Sequence, residues 1–391
     1  MTSLVSETVR EVVVVGGGPA GLAAAAEAGR RGLDVLLVEA GPALAHGWRL
    51  RYDRLHLHTP RFLSGLSGYP IPRHYGRWLS RDQLVEYLQE YARRLSLDVR
   101  CDTRVERVEH DDGAWVLETS GPPLRARQVV LATGFLTVPR LPEWPGRDGF
   151  RSELLHSGDY RTAEPYRGRD VLVVGSGNSG AEIAYDLATG GAARVRIAIR
   201  TPPQIAKRQA LGIPTHVVGI ALGKLPPRLG GRITSTLRRL TIPDLSHRGL
   251  PRPTETLGAQ FARTGTIPIL DVGFVAAVRD GRIEVVRAVE GFDGDDVLLA
   301  DGARIRPEVV IAATGFRPGI EPLVGHLDAL DEQGLPRSDE PQPGLHLFGY
   351  SATLGGTIRL LAQEAPRLAE RLESRANELR RGSAPGEPVA A

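Results

Sequence analysis

The chain has 391 residues, of which 41% are hydrophobic and 24% are charged. These proportions are typical of a soluble globular protein, and the length predicts two or three domains. They exclude a disordered, collagenous or fibrous chain. The formal net charge is only +3 and basic residues are scattered along the sequence, so no nucleic-acid partner is expected.

The cysteine count and the hydropathy pattern limit the cellular compartment and the partners that are expected. Cys101 is the single cysteine, which excludes an internal disulfide, a CxxC redox pair and a cysteine-based zinc site. A reducing, cytoplasmic compartment is expected. No apolar run approaches the roughly 18 residues that span a bilayer, so no membrane partner is expected. The end of the chain, 381–391, is predicted to be a disordered tail, and the oligomeric state is left open.

The N-terminal region predicts the order strand, glycine loop, helix, strand. Val12–Val15 and Val35–Val38 are continuous apolar runs, as expected for strands buried on both faces. Leu22–Ala28 between them is rich in alanine and favours a helix. After an excursion rich in Pro and His, Ser80 and Gln83 form a capping box at the start of another helix. A strand-and-turn region then follows.

A second copy of this plan begins at Asp170–Val174, which is again followed by a glycine loop. A helix over Ala181–Ala188 and a strand over Val195–Ile199 complete it. Its strand-and-turn region contains Asp280-Gly281 and Asp301-Gly302, and both pairs predict hairpins. Asp112-Gly113 does the same in the first copy.

Each copy ends on a related phrase, Ala132-Thr133-Gly134 in the first and Ala313-Thr314-Gly315 in the second. We therefore predict an α/β fold with two dinucleotide-binding, Rossmann-like domains, each a βαβ core with a β-meander. The second domain is expected at 160–300, inserted into the first. Segments 1–150 and 305–391 would form the first domain, the latter with a C-terminal helix and the tail.

The first glycine loop runs Gly16-Gly17-Gly18-Pro19-Ala20-Gly21 between a strand and a helix, which is the context that a GxGxxG motif requires. Gly16 permits the tight turn, Gly18 lets a pyrophosphate approach the backbone, and Gly21 lets the helix pack on the strand. Glu39, which ends the next strand, can accept hydrogen bonds from a ribose diol.

The second loop runs Gly175-Ser176-Gly177-Asn178-Ser179-Gly180, but the strand after its helix ends at Arg200. An acid there would repel a 2′-phosphate, whereas a guanidinium binds phosphate through paired charge-assisted hydrogen bonds. We therefore predict FAD in the first domain and NADPH, rather than NADH, in the second.

Four segments carry a resemblance to a known family. The segment Phe150–Tyr160 is similar to FxGxxxHxxx(Y/F), the fingerprint of the flavin-containing monooxygenases, with Ser152 where the family has Gly. Both Ala-Thr-Gly phrases resemble the family's own. Tyr52–His58 resembles the plant YUCCA-type branch. The resemblance implies that NADPH reduces FAD, that O2 forms a C4a-(hydro)peroxyflavin, and that one oxygen enters a small amine, sulfide or arylpyruvate-like keto acid.

The predicted site residues follow from the loops and from this resemblance, and no metal is expected. His156 and Tyr160 are candidate catalytic residues beside NADP, although the bulk of the chemistry would belong to the flavin. The FAD set is Gly16, Gly18, Pro19, Ala20, Gly21, Glu39, Trp48, His58, Thr59, Ala132, Thr133, Gly134, Gly349, Gly355 and Gly356. The NADP set is Gly175, Ser176, Gly177, Asn178, Ser179, Gly180, Arg200, Thr201, Thr314 and Gly315.

Alternatives stay open at the sequence level. His156 and Tyr160 would share one face if their segment were helical, but they could equally be a buried histidine and a packed tyrosine. A Baeyer–Villiger monooxygenase and an NADPH-dependent reductase that serves another acceptor are the rival functions. The substrate, and the role of 202–261, are not assigned.

Overall fold

The computed structural model describes residues 9–382. In chain order its strands are β1 Arg10–Val15, β2 Val35–Val38, β3 Asp98–Arg100, β4 Val105–Asp111, β5 Ala114–Thr119, β6 Leu124–Leu131, β7 Val138–Pro139, β8 Glu153–His156, β9 Asp170–Val174, β10 Arg194–Ile199, β11 Ile205–Lys207, β12 Gln209–Ala210, β13 Ile213–Pro214, β14 Ile269–Asp271, β15 Glu284–Arg287, β16 Val289–Asp293, β17 Asp296–Leu299, β18 Arg304–Ile305, β19 Val309–Ala312, β20 Phe316–Arg317 and β21 Leu345–Leu347. The helices are α1 Pro19–Arg30, α2 His46–Arg49, α3 Arg81–Arg94, α4 Asn178–Gly190, α5 Thr215–Leu222, α6 Pro227–Thr241, α7 Leu257–Thr264, α8 Phe274–Arg279, α9 Glu321–Val324 and α10 Thr357–Gly382. The predicted tail lies outside the described residues, apart from 381–382, which continue α10.

The first sheet has the strand order β3-β2-β1-β6-β5-β4, with β21 also paired to β6. Strands β1, β2, β3, β6 and β21 are parallel, and the antiparallel β4 and β5 complete the predicted meander. Helices α1, α3 and α10 contribute apolar side chains to one core on this sheet. The capping box of α3 is present, because the amide of Gln83 donates to Ser80 Oγ and the amide of Ser80 donates to Gln83 Oε1.

The second sheet has the order β15-β10-β9-β19-β8, and all its neighbouring strands are parallel. Its core contains apolar residues of β9, β10 and β19 and of helices α4 and α8. A separate antiparallel meander, β16-β17-β18, follows β15. The predicted α/β fold with two nucleotide-binding sheets is therefore confirmed.

Sheet membership differs from the predicted boundaries at two places. The third segment was expected to return to the first domain at 305, yet β19 pairs with β9 near the centre of the second sheet. Strand β8, which precedes residue 160, adds to the same sheet beside β19. Both pairings join residues far apart in sequence, so local patterns did not reveal them.

Two of the three predicted turns are hairpins. Asp112-Gly113 joins β4 to β5, and Asp301-Gly302 lies between β17 and β18. Asp280-Gly281 was wrongly predicted as a hairpin, because it ends helix α8, where the amide of Gly281 donates to the carbonyl of Val278. The polypeptide crosses between the two sheets twice, and the crossing segments β7 and β20 pair with each other antiparallel.

The unassigned stretch 202–261 contains the short strands β11, β12 and β13 and the helices α5, α6 and α7. Strand β11 pairs with β14 in parallel, and β12 and β13 form a hairpin. Among residues 9–382 no helix is long and apolar enough to cross a bilayer.

Candidate active site

The first glycine loop has the geometry that its sequence predicts. Gly16 has φ +114°, and a Cβ there would lie 2.6 Å from the carbonyl oxygen of Ala132. A Cβ on Gly21 would lie 1.8 Å from the carbonyl oxygen of Gly16, so the helix approaches the strand as closely as a glycine allows. A Cβ on Gly18 would meet no protein atom within 4 Å. The start of α1, with Pro19 and Ala20, therefore faces open space where a pyrophosphate fits.

Glu39 lies at the end of β2 beside this loop. Its carboxylate accepts hydrogen bonds from the amides of Gly17 and Gly41, both at 2.8 Å. These bonds fix the orientation of the carboxylate and use only part of its accepting capacity. The remaining lone pairs can accept hydrogen bonds from a ribose.

The other residues assigned to FAD converge on the same edge. Gly356, with φ +95°, precedes α10, and a Cβ on it would lie 2.5 Å from Thr59 Cγ2. Gly349 lies against the start of α1, where its Cβ would be 2.8 Å from Ala20 Cβ. Thr59 itself is buried and hydrogen-bonded to Ser64. Gly349 thus lies between the start of α1 and the first turns of α10, since its Cβ would also be 3.2 Å from Leu361 Cδ2.

Four further residues of the set, Thr133, Gly134, Gly355 and Trp48, belong to segments that contact or adjoin this region. Thr133 Oγ1 is 2.9 Å from the hydroxyl of Tyr350, whose pKa is raised to about 12 by desolvation. Gly134 follows with φ +83°, and the amide of Gly355 donates to a threonine hydroxyl. Trp48 is half-buried in α2, whose N-cap is bound to the first glycine loop, because the Ala45 amide donates to the Gly17 carbonyl.

The second glycine loop repeats the first almost atom for atom. Gly175 has φ +130°, and its Cβ would lie 2.3 Å from the carbonyl oxygen of Ala313. A Cβ on Gly180 would lie 2.2 Å from the carbonyl oxygen of Gly175, and one on Gly177 would meet nothing within 4 Å. The start of α4 is therefore a second open cradle of the same shape.

The two loops differ in the residue that ends the next strand. Arg200 is exposed, and the described part of the chain places no carboxylate within ion-pairing distance of it. Thr201 is exposed beside it, and its carbonyl accepts a hydrogen bond from Ser176 Oγ. A cation without a partner next to an open phosphate cradle fits a second phosphate.

Two side chains of the second loop are already engaged. Asn178 bridges to β14, since its amide nitrogen donates to Pro268 and its oxygen accepts from the amide of Leu270. Ser179 lies beside Tyr52, where its side chain acts to lower the pKa of the Tyr52 hydroxyl against the larger raising effect of burial. These two residues therefore present backbone N–H groups, rather than side chains, to the cradle.

His156 ends β8 and has both ring nitrogens occupied. Nε2 lies 3.0 Å from the carbonyl oxygen of Gly315, and Nδ1 accepts the amide of Gly158 at 3.0 Å. Burial lowers the pKa of the ring, which agrees with a neutral imidazole that donates from Nε2. Thr314, next to Gly315, donates its hydroxyl proton to the carbonyl of Arg140. His156 thus braces the second Ala-Thr-Gly phrase.

Tyr160 is fully buried, and its hydroxyl donates to Asp186 Oδ2 at 2.7 Å. Its ring stacks on Tyr166, and burial raises the pKa of its hydroxyl well above the ordinary value. The shared helical face suggested for His156 and Tyr160 is wrong, because His156 ends a strand and a turn separates the two residues. Their geometry favours the structural alternative for both.

An acidic pair on α4, which was not predicted from the sequence, joins the two halves of the molecule. Glu182 accepts a hydrogen bond from the Tyr52 hydroxyl at 2.8 Å and lies 2.5 Å from His58 Nε2. Asp186, one turn later, binds Arg54 as well as Tyr160. Their spacing of four residues on the helix after the glycine loop was the available signal. His58, assigned to FAD, is directed at Glu182 instead.

Two further basic side chains, His216 and Arg208, lie near the contact between Glu182 and His58. His216 in α5 has its pKa lowered to about 4 by burial, with a smaller effect from His58. The guanidinium of Arg208 lies 4.7 Å from the centre of the Trp78 ring. Burial lowers the pKa of Arg208, and Glu182 acts in the opposite direction. Among residues 9–382 no carboxylate pairs with Arg208, and no group of three or more metal-ligating side chains occurs.

The fold and the two open cradles together define an oxidoreductase that binds two dinucleotides. Residues 13–213 match the family described as pyridine nucleotide-disulphide oxidoreductase. The chain is 35% identical over 350 residues to indole-3-pyruvate monooxygenase YUCCA1 of Oryza sativa subsp. japonica, with 87% of this chain and 86% of the relative covered.

Solved structures agree. A double mutant of a flavin monooxygenase from Stenotrophomonas maltophilia is 26% identical with a TM-score of 0.73, covering 93% of this chain and 98% of the other. OTEMO in complex with FAD and NADP shares the fold at 17% identity and TM-score 0.71, covering 96% and 87%. The chain belongs to the flavin monooxygenase family that includes the YUCCA proteins. It is a flavin-dependent oxidoreductase, and the predicted cofactors, FAD and NADP, are those of the family.

Proposed function

We propose that the protein is an NADPH-dependent FAD monooxygenase that transfers one oxygen atom of O2 to a small aromatic 2-oxo acid. The observation that carries the proposal is the pair of open glycine cradles, of which only the second has an exposed, unpaired arginine beside it among the described residues. An arginine at that position favours NADPH, because it binds the 2′-phosphate that NADH lacks. The names of the YUCCA relatives, which are indole-3-pyruvate monooxygenases, support the substrate class.

The residues of the chain bind, orient and shield, while FAD supplies electron transfer from NADPH and the activation of O2 when it is bound. The start of α1 and the carboxylate of Glu39 would hold the FAD pyrophosphate and ribose. The start of α4 and Arg200 would hold NADPH. Gly356 and the start of α10, which lie against Thr59, would stabilise negative charge on the flavin ring.

Arg208 is the residue we propose to hold the substrate carboxylate. It is half-buried, it lacks a carboxylate partner among the described residues, and it lies beside the Trp78 ring. A desolvated guanidinium binds a carboxylate through two parallel hydrogen bonds, and the indole offers a stacking surface for an aromatic group. Glu182, His58 and His216 border the same region and would exclude bulk water.

Two rival functions remain distinguishable. A dithiol-type reductase is disfavoured because burial raises the pKa of the Cys101 thiol, which makes it a poor nucleophile. A Baeyer–Villiger monooxygenase would use the same cradles but would insert oxygen into a ketone without loss of CO2. The products therefore separate the two monooxygenase reactions.

The test is a complete reaction balance with the yellow holoenzyme. For an arylpyruvate we expect one NADPH, one O2 and one proton to be consumed for each arylacetate, CO2, water and NADP+ formed. A neutral ketone converted to an ester at a higher kcat/KM would support the Baeyer–Villiger alternative. Stoichiometric hydrogen peroxide with every substrate, or transfer of electrons to an added acceptor, would contradict oxygen transfer.

The role of Arg208 is tested separately with Arg208→Gln. Loss of a charge-assisted hydrogen bond is worth about 1.5–3 kcal/mol, so the KM for an arylpyruvate should rise about 10- to 100-fold. The rate of flavin reduction by NADPH should be unchanged. An equal loss with a neutral sulfide substrate would show that Arg208 does not recognise the carboxylate.

A further inference from the structure

The stretch 201–243, which the proposed function leaves mostly unused, has an unusual charge. It contains no acidic residue, although acids are frequent elsewhere in the chain. Its basic residues are Lys207, Arg208, Lys224, Arg228, Arg232, Arg238 and Arg239. Among those of them whose side chains the structure describes, none forms an ion pair. This part of the molecule is therefore a local concentration of uncompensated positive charge.

Helix α6 presents part of this charge on an amphipathic face that points away from the protein. Leu229, Thr236 and Leu240 follow the spacing i, i+7, i+11, which places them on one side of the helix. Leu229 is 49% exposed and Leu240 is 79% exposed. Arg232 and Arg239 are also exposed and lie on one flank of this leucine row. We refer to these five residues as the α6 face.

A second apolar projection precedes this helix. Leu211 is fully exposed at the tip of the β12–β13 hairpin, where its φ of +48° is unusual for a leucine. Ile213, beside it, is more than half exposed. Arg77 supports the hairpin from below by donating to the carbonyl of Gly212. Leu211 therefore packs against none of the residues that the structure describes.

Helix α5 connects the hairpin to α6 through a short turn and is itself apolar. Its sequence is THVVGIAL, and none of its residues is buried. The hairpin, α5 and α6 thus form one continuous segment in which apolar side chains are exposed and every charged side chain is basic. Leucines flanked by arginines are the pattern of helices that lie in the interface of a membrane.

We propose that the hairpin tip and the α6 face bind the surface of an anionic lipid bilayer. The leucines would enter the boundary between headgroups and acyl chains, and Arg232 and Arg239 would contact lipid phosphates. No membrane partner was expected from the sequence because no segment spans a bilayer, but surface binding needs no spanning segment. A protein without disulfides would meet the cytoplasmic leaflet, which is the anionic one.

Lipid is favoured over a protein partner by the mixture of groups. An acidic protein would be matched by the basic residues but would leave Leu211 and Leu240 against charged surface. A second copy of the chain would bring two uncompensated positive patches together at a symmetric contact. A bilayer with anionic headgroups complements both the charge and the apolar side chains at once.

The experiment is co-sedimentation of the FAD-loaded, full-length protein with vesicles. Vesicles of equal parts phosphatidylglycerol and phosphatidylcholine should bind the protein, and pure phosphatidylcholine should bind it at least about 10-fold more weakly. Arg232→Gln with Arg239→Gln should weaken binding to the anionic vesicles about fivefold for each charge removed. Leu240→Ser with Leu211→Ser should weaken it by a similar or larger factor.

The controls use exposed residues outside the segment. Leu335→Ser and Arg93→Gln should leave vesicle binding unchanged, and NADPH oxidation should be the same in all variants. Absence of binding to anionic vesicles would overturn the proposal. So would binding that Leu240→Ser and Leu211→Ser do not affect, or a dimer in light scattering that those substitutions dissociate while vesicle binding is absent.

Discussion

The two nucleotide cradles have nearly the same backbone but different surroundings. A Cβ on the first or the last glycine of either motif (Gly16 and Gly21, Gly175 and Gly180) would meet backbone atoms, whereas one on Gly18 or Gly177 would face open space. The first cradle is followed by Glu39, and the amides of Gly17 and Gly41 donate hydrogen bonds to its carboxylate. The second is followed by Arg200, which is exposed and, within the described residues, lacks an ion-pair partner. The backbone geometry is therefore common to both cradles, and the side chain that follows the next strand distinguishes them.

The cradles also differ in how the rest of the protein supports them. Helix α1 packs along the long helix α10, so the first cradle is supported by an extensive apolar core. Helix α4 packs in the apolar core of the second sheet and is also bound to the excursion by the polar contacts of Glu182 and Asp186. The two cradles thus share apolar support and differ in the polar contacts that α4 makes with a distant segment.

The largest effect is expected from a substitution of the last glycine of each loop, Gly21 or Gly180. Gly21→Ala would place a methyl group against the Gly16 carbonyl, so we expect a protein without flavin. Gly180→Ala should keep the yellow colour, while its Kd for NADPH rises on the order of 100-fold, because contacts between helix amides and phosphate are charge-assisted. Flavin absorbance and NADPH titration measure the two results. Loss of flavin from Gly180→Ala would contradict independent cradles.

The fifth parallel strand of each sheet, β21 in the first and β8 in the second, contains a buried histidine. The two histidines differ in their hydrogen bonds, and we therefore expect a pH effect on stability from the one in β21. His346 has its pKa lowered to about 4 by burial, with Arg371 and Arg375 adding to the shift and Glu340 and Asp339 opposing it. Neither ring nitrogen has a hydrogen-bond partner, unlike those of His156.

The unfolded chain, with an ordinary histidine pKa of 6.5, binds a proton that the folded His346 does not accept until about pH 4. Stability should therefore fall as the pH drops from about 6.5 to 4, by about 3 kcal/mol in total. His346→Leu should remove that slope in urea unfolding curves. An unchanged slope would assign it to other groups.

The next largest effect is expected when the charge of Arg200, beside the second cradle, is reversed. Arg200→Glu should lower kcat/KM for NADPH relative to NADH by about 10- to 100-fold, since a charge-assisted hydrogen bond contributes about 1.5–3 kcal/mol. Steady-state kinetics with both coenzymes measure the ratio. Arg93→Glu, at another exposed arginine, is the control and should leave it unchanged.

The smallest effect on turnover is expected at His156. Because its nitrogens bind the backbone of Gly158 and Gly315, His156→Ala should lower the free energy of unfolding by about 1–3 kcal/mol. The fraction of NADPH converted to hydrogen peroxide should stay within about twofold of that of the unchanged protein, since the ring has no free nitrogen for proton transfer. A large rise in peroxide would instead indicate a role beside the cofactor.

Much of the fold was predictable because its signals are local. A buried strand, three glycines at fixed spacing and an alanine-rich helix occur within a few residues of one another, and both cradles follow from them. Strands β8 and β19 could not be assigned in this way, since their partners are far away in sequence. The Asp280-Gly281 pair shows the same limit, because one dipeptide can end a helix or turn a hairpin.

The parts of the site that are formed by backbone were predictable from the sequence. The side-chain contacts between elements that are distant in the sequence were not. Gly18 and Gly177 face open space as their positions in the motif require. The contact of Glu182 with Tyr52 and His58 joins residues more than a hundred positions apart. Its acidic residues were visible in the sequence, but nothing local indicated which groups they would meet.

The pairing of β7 with β20 has a mechanical consequence. The two covalent connections between the halves run side by side as a narrow antiparallel ribbon, reinforced where the amide of Thr137 donates to the carbonyl of Arg317. Rotation about this ribbon would preserve every strand pairing within both sheets. It would have to break the hydrogen bonds of Glu182 and Asp186 with the excursion, as well as that of the Asp53 amide with the carbonyl of Arg161.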